Sequence, residues 1–162
     1  SPFPYDGIFR RAVLNFKFHN CGAYAELLSH EMVRSIKDVY RDRKFDLVTC
    51  VPMHKDTLRE RGYNQAELLA KECARLLGIE YANLLAKTKK NKTQHSIKAA
   101  ERVKNVIGVY SPIDKNLIKG KRILIIDDII TTGSTLGECA RILNKCKCGE
   151  ICCCTLCTSL LI

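Results

Sequence analysis

The sequence lacks any run of about 18 apolar residues, which is the length that a membrane-spanning helix requires. No charged-then-apolar leader opens it, and we therefore expect a cytoplasmic protein without membrane insertion. Internal repeats and low-complexity linkers are absent, and the four prolines are too dispersed to mark a domain boundary. A chain of 162 residues with this organisation predicts a single domain over residues 1–162.

Acidic residues are scarce relative to basic ones. The chain has 17 Asp and Glu against 27 Lys and Arg, which gives a formal net charge of +10 at pH 7. This charge favours anionic partners, which include phosphorylated metabolites, nucleic acid and acidic lipid surfaces. Charge alone does not choose among these partners.

The ten cysteines do not follow the spacing of a structural zinc site. Such sites repeat a CxxC pair at two places, whereas here only Cys154 and Cys157 have that spacing. In a strand, Cys152 and Cys154 would point to one face and Cys153 to the other. We therefore expect buried thiols and no tightly bound metal, with a thiolate metal site as the alternative.

The amino-terminal third of the sequence has helical periodicity. Apolar residues recur at helical spacing from Gly7 to Phe18, and a second helix is predicted from about Ala23 to Tyr40. Residues 1–45 are thus expected to form an amino-terminal helical part. The predicted buried face of the second helix comprises Tyr24, Leu27, Leu28, Met32 and Ile36.

The remaining sequence alternates between strands and helices. We predict strands at 46–51, 105–110, 123–126 and 151–156, a polar loop at 54–65, and helices at 66–77 and from about residue 135. Gly78 is the expected stop of the first of these helices. This alternation predicts an α/β fold with a largely parallel sheet.

The segment RILIIDDIITTGSTL carries the strongest chemical signal. Its apolar part predicts a central parallel strand, and Asp127 and Asp128 would then stand at the carboxyl end, where open α/β sheets bind ligands. The small hydroxyl residues that follow precede a helix, and Thr135 with Glu138 has capping-box spacing. A Walker A string and a GxGxxG string are both absent, so the segment predicts a site for a ribose diol beside its 5-phosphate.

The string DDIITTGST resembles the phosphoribosyl pyrophosphate motif of type I phosphoribosyltransferases. The resemblance implies their fold, a mostly parallel central sheet flanked by helices, and a ligand bound together with magnesium near Asp127 and Asp128. These two acids would hold the ribose hydroxyls, and Asp128 is the best candidate for a catalytic residue. Some purine-type relatives have an aspartate base where this chain has Thr131, so the motif itself identifies no base. The implied 5-phosphate site comprises Thr131, Thr132, Gly133, Ser134 and Thr135.

Two further strings, CVPMHKDTLRERGYNQAELLA and YDGIFRRAVLNFKF, resemble segments of ComF-type competence proteins. ComF relatives usually carry a four-cysteine zinc finger just upstream, and nothing here corresponds to it. The chain also opens on Ser1, so we expect a truncated or finger-less form. In the implied fold, the loop after the first core strand faces the pyrophosphate. The candidate residues in this region are Met53, His54, Lys55, Arg59, Arg61 and Asn64.

The stretch between Tyr81 and Lys104 is the most basic part of the chain. In the resembled family, a mobile hood over the substrate lies at about this point of the sequence. A nucleic-acid contact and an exposed loop without a partner are the alternatives. The candidate residues are Lys89, Lys90, Lys92, Gln94 and Arg102.

Two functions therefore remain open. The first is a phosphoribosyltransferase that displaces pyrophosphate with a nitrogen nucleophile. The second is a non-catalytic single-stranded-DNA-binding factor in DNA uptake that keeps a nucleotide-binding site.

Overall fold

The structure is a computed structural model that describes residues 1–18, 22–89 and 106–159. A short strand, β1 (Phe3–Pro4), precedes the helices α1 (Gly7–Phe18) and α2 (Gly22–Tyr40). Both predicted amino-terminal helices are confirmed. Among all the described residues, no helix is long and apolar enough to cross a membrane.

The remaining elements follow in the predicted alternating pattern. They are β2 (Leu47–Cys50), α3 (Lys55–Arg61), α4 (Gln65–Leu77), β3 (Glu80–Tyr81), β4 (Leu85–Lys87), β5 (Tyr110–Pro112), α5 (Lys115–Ile118), β6 (Arg122–Ile130), α6 (Ser134–Lys145) and β7 (Glu150–Thr158).

The main sheet has the strand order β1-β7-β6-β2-β3, and all its pairings are parallel. β4 and β5 form a separate antiparallel pair in which Lys87 lies opposite Tyr110. The predicted α/β fold with a mostly parallel central sheet flanked by helices is confirmed.

The sheet separates two hydrophobic cores. One core contains the inner faces of α1, α2 and α4, and the other contains α6 and the β4–β5 pair. Successive residues of β6 alternate between them, with Leu124 in the first core and Ile123 and Ile125 in the second. Cys152 and Cys154 likewise face the first core and Cys153 the second, as the strand pattern predicted.

Two predictions for the helical regions are wrong. Tyr24 and Leu27 of α2 are 39% and 66% exposed, because the buried face of this helix is rotated toward Ala25, Ser29 and Val33. The predicted polar loop at 54–65 contains the seven-residue helix α3. This helix has both of its ends capped, by the side chain of His54 and by Gly62 in the left-handed region at φ 85°.

Two strand predictions also need correction. The strand expected at 105–110 is instead β5, which starts at Tyr110, because Val106 and Val109 are buried in the turn before it. β6 does not end before the acid pair but continues to Ile130, since β7 pairs with it along this whole length. The two acids are therefore the sixth and seventh of the nine residues of the central strand.

Candidate active site

A cleft of about 440 Å³ opens at the carboxyl edge of the parallel sheet, beyond the ends of β2 and β6. Segments that are far apart in the sequence converge there, as expected for a ligand site of an open α/β sheet. Its lining comprises Tyr5, residues 51–54, Thr57, Arg61, residues 64–66, Lys87, Tyr110, residues 127–129, Thr131 and Thr135.

The acid pair lies in this cleft. Asp127 and Asp128 are both half-buried lining residues, and the backbone N–H of Asp128 donates to Oδ1 of Asp127 at 2.9 Å. β6 holds the two carboxylates at the centre of the sheet edge. The arrangement can accept hydrogen bonds from neighbouring hydroxyl groups of one ligand.

The loop after β6 forms a small cavity of about 30 Å³, which is lined by Asp127 and by residues 129–136. Gly133 is the residue before the first turn of α6, and its φ of 74° is one that glycine adopts with little cost. Oγ1 of Thr132 and Oγ of Ser134 lie 2.7 Å apart within the loop. The loop therefore presents hydroxyls and the amino end of a 12-residue helix to an anion.

The capping box predicted from Thr135 and Glu138 is wrong, because the left-handed Gly133 starts α6 at Ser134. Glu138 is 5% exposed and has other partners. Its carboxylate accepts from the backbone N–H of Gly108 at 2.8 Å and from Arg141 at 2.6 and 2.7 Å. These bonds hold the pKa of Glu138 down at about 2, with the Arg141 bonds as the main cause.

The loop after β2 forms another part of the cleft wall. Of the residues predicted to face pyrophosphate, Met53, His54, Arg61 and Asn64 line the cleft, whereas Lys55 lines an adjoining cavity of about 260 Å³. Arg59 is on the exposed side of α3 and is not among the lining residues.

Asn64 has a bracing role in this wall. Its Nδ2 donates to the carbonyl of Val51 at 3.1 Å, and its Oδ1 accepts from the N–H of Ala66 at 3.2 Å, which caps α4. The side chain thus ties the loop after β2 to the start of α4. This explains why asparagine follows the turn at Gly62.

Five polar lining residues were not named as site candidates by the sequence reasoning: Tyr5, Thr57, Gln65, Lys87 and Tyr110. Gln65 is 1% exposed, and its Oε1 accepts from Nη1 of Arg61 at 2.9 Å. Its place in the GYNQ string was the available signal. Lys87 belongs to the basic stretch that the sequence analysis identified, but its partner Tyr110 had no signal, because their pairing across β4 and β5 joins residues that are distant in sequence.

Lys87 and Tyr110 form one unit of the wall. Nζ of Lys87 lies 5.6 Å from the centroid of the Tyr110 ring. Burial lowers the pKa of Lys87 and raises the pKa of Tyr110 above its ordinary value. The neighbouring Thr135 side chain lowers the pKa of Tyr110 and so offsets part of this rise, which places the tyrosine beside the loop after β6.

The predicted basic stretch is described only as far as Lys89. Lys89 is exposed, and Lys90, Lys92, Gln94 and Arg102 lie outside the described residues. The backbone N–H of Thr88 donates to the carbonyl of Val109 at 2.8 Å. Thr88 and Val109, which lie on either side of residues 90–105, are therefore next to the Lys87–Tyr110 pair.

Within residues 1–18, 22–89 and 106–159, no group of three or more His, Cys, Asp or Glu side chains is arranged to hold a metal ion. Burial raises the pKa of the Cys153 and Cys154 thiols to about 11. These two groups are therefore protonated at neutral pH and are poor metal ligands.

Comparison with known proteins gives a consistent family match. The profile of the phosphoribosyl transferase domain matches residues 64–160. The chain is 32% identical to Competence protein F of Haemophilus influenzae over 86% of this chain and 63% of that protein. It is 30% identical to the DNA utilization protein YhgH of Escherichia coli K12 over 62% of this chain and 44% of that protein. The chain thus spans less than two thirds of the length of these curated relatives.

A solved structure supports the fold alone. Glutamine phosphoribosylpyrophosphate amidotransferase from B. subtilis, whose structure contains ADP and GMP, superposes with a TM-score of 0.53 at 22% identity. The match covers 80% of this chain and 25% of that one.

Proposed function

Because the chain belongs to the phosphoribosyl transferase domain family and is similar to ComF-type competence proteins, we propose that its cleft binds phosphoribosyl pyrophosphate together with magnesium. One observation carries the proposal: the acid pair of β6 and the hydroxyl loop at the amino end of α6 open onto the same cleft. Together they match one small ligand that carries both a sugar diol and a phosphate.

Each wall of the cleft has a role in this proposal. Asp127 and Asp128 accept hydrogen bonds from the ribose 2- and 3-hydroxyls. Residues 131–135 bind the 5-phosphate through hydroxyls, backbone N–H groups and the helix dipole. The loop at 51–54, with Arg61, faces the pyrophosphate, because the planar guanidinium matches phosphate oxygens.

Magnesium fits this donor set as a companion of the ligand. The described residues provide two adjacent carboxylates but no larger ligand cluster, so these residues do not surround a cation by themselves. Magnesium prefers oxygen ligands and usually binds through one or two carboxylates plus substrate phosphates. Asp127 and Asp128 would hold it, and the bound ion would neutralise part of the pyrophosphate charge.

We further propose that the protein is a transferase. The anomeric carbon–oxygen bond breaks with its electron pair leaving on pyrophosphate, a nitrogen nucleophile bonds to that carbon, and the nucleophile's proton passes to solvent. The protein's contribution is orientation of the sugar and stabilisation of the positive charge that develops at the anomeric carbon. Asp128 is our candidate for the stabilising carboxylate.

Calorimetric titration with phosphoribosyl pyrophosphate, with and without magnesium, tests binding. Asp128→Asn removes the charge that strengthens the hydrogen bonds to the diol, so affinity should fall by about 10- to 100-fold, or about 1.5 to 3 kcal/mol. Asp42→Asn, which changes an exposed carboxylate outside the cleft lining, is the matched control. Equal affinities of wild type and Asp128→Asn would overturn the site assignment.

The second candidate function is single-stranded-DNA binding in DNA uptake, without catalysis. We propose it because the chain is similar to the DNA utilization protein YhgH and because its net charge is +10. A nucleic-acid backbone binds such a surface through phosphate contacts.

A further inference from the structure

Lys87 is a half-buried cation in the wall of the cleft. Its ammonium group lies over the ring of Tyr110, and among the described residues it forms no ion pair with a carboxylate. A partly desolvated ammonium group loses hydration that an anion can replace. The position of Lys87 therefore favours a negatively charged group in the cleft.

The platform under Lys87 is fixed. Tyr110 is 6% exposed, belongs to the second hydrophobic core and lies opposite Lys87 in the β4–β5 pair. The tyrosine ring therefore cannot turn away without disturbing the core. An ammonium group held on a fixed ring loses little further freedom when it binds an anion.

The cavities indicate which end of a ligand Lys87 would reach. It lines both the main cleft and the adjoining cavity, and Pro52, Met53 and Asn64 also line both. It does not line the small cavity formed by residues 129–136. Lys87 itself thus lines the part of the cleft that the loop after β2 also lines, and only its partner Tyr110 lies beside the hydroxyl loop.

We propose that Lys87 is a specificity-determining residue that binds the diphosphate end of the ligand rather than its 5-phosphate. This inference rests on the proposed function, because it assigns a role within the same cleft. Lys87 then distinguishes an activated sugar phosphate from the same sugar phosphate without its leaving group. Pyrophosphate would be bound by the same contact as it departs.

The test compares three probes, each with magnesium: phosphoribosyl pyrophosphate, ribose 5-phosphate and inorganic pyrophosphate. Lys87→Met keeps the apolar stem and removes the charge. This change should lower the affinity for phosphoribosyl pyrophosphate and for pyrophosphate by about tenfold or more. It should lower the affinity for ribose 5-phosphate by less than about twofold. Lys87→Arg, which restores a cation over Tyr110, should recover most of the lost affinity.

Lys71→Met is the matched control. Nζ of Lys71 lies 5.5 Å from the centroid of the Tyr81 ring, so the same change removes a similar cation–ring contact. Lys71 is also paired with Glu67 at 2.7 Å and is not a cleft-lining residue. This variant should bind all three probes within about twofold of wild type, and thermal denaturation of each variant verifies that it is folded.

The outcomes separate the inference from the proposed function. If the wild-type protein does not bind phosphoribosyl pyrophosphate, both the proposed function and the role of Lys87 are overturned. If wild type and Lys87→Met bind it equally tightly, only the role of Lys87 is overturned. An equal loss for ribose 5-phosphate and phosphoribosyl pyrophosphate also overturns that role, because the lysine would then not discriminate between them.

Discussion

Replacing Glu138 by glutamine should reduce the free energy of unfolding by about 2 kcal/mol at pH 7, since hydrogen bonds to charged groups contribute about 1.5 to 3 kcal/mol. The native carboxylate accepts three hydrogen bonds, from Gly108 and twice from Arg141. Glutamine can retain the bond from Gly108 but loses the charge that pairs with the guanidinium. Arg141 is 43% exposed, so it can regain water, and this keeps the loss below that of a fully buried ion pair.

The pH dependence of this loss has a definite sign. The pKa of Glu138 is about 2 in the folded protein against an ordinary value of 4.5, so the folded state favours the charged form. The resulting stability is fully present above about pH 4.5 and is lost as the pH falls toward 2. The difference between wild type and Glu138→Gln should therefore shrink by about 1 kcal/mol between pH 7 and pH 4.

Urea unfolding followed by far-ultraviolet circular dichroism measures this difference, because the chain has no tryptophan whose fluorescence could report unfolding. Glu72→Gln is the control: Glu72 pairs with Arg75 at the same i, i+3 spacing and with two Nε contacts of 2.9 and 3.1 Å. That pair is on an exposed face, so its loss should cost less than about 1 kcal/mol. The reasoning would be refuted if Glu138→Gln lowered the free energy of unfolding by no more than Glu72→Gln does. It would also be refuted if the loss for Glu138→Gln stayed constant between pH 7 and pH 4.

Three further predictions concern the loop after β6, the helix α6 and the basic stretch. Gly133→Ala should destabilise the fold by about 1 to 2 kcal/mol through its positive φ and weaken phosphoribosyl pyrophosphate binding. Gly137→Ala within α6, where an added Cβ meets nothing, should instead stabilise it by about 0.5 to 1 kcal/mol in urea unfolding. For DNA, log affinity for a single strand should fall with log salt at a slope of about −2 to −3, and neutralising Lys89, Lys90 and Lys92 together should flatten it by about two units. An unchanged slope would exclude these lysines from a DNA contact, and a loss of phosphoribosyl pyrophosphate affinity alone would indicate a lid.

The central strand and the site edge were predictable because their signals are local. A continuous apolar run, an acid pair and a hydroxyl-rich turn are consecutive in the sequence, and β6 and α6 have them in that order. The ends of these elements were less predictable. β6 extends past Asp128 because β7 pairs with it, and Gly133 sets the start of α6 through a backbone conformation that the spacing of Thr135 and Glu138 does not show.

The unpredicted half of the site depends on long-range pairing. β4 and β5 have only three residues each, too few for periodicity to identify, and their alignment places Lys87 on Tyr110. The exposure of Leu27 has a similar cause, because helical spacing gives an apolar face but not the side that α4 and the sheet cover. Tertiary contacts therefore determine both the Lys87–Tyr110 pairing and the buried face of α2.

The pairing of β1 with β7 has a consequence for the order of events during synthesis. Phe3 lies beside Cys157, and the backbone N–H of Tyr5 donates to the carbonyl of Thr158 at 2.7 Å. The partner of the first strand therefore leaves the ribosome last of all the described strands, and closing so long a loop costs entropy that only the finished sheet can offset. Tyr5 is part of the cleft wall, so this wall is complete only when β7 is available to pair with β1. We expect ligand affinity to appear only after β7 has been released.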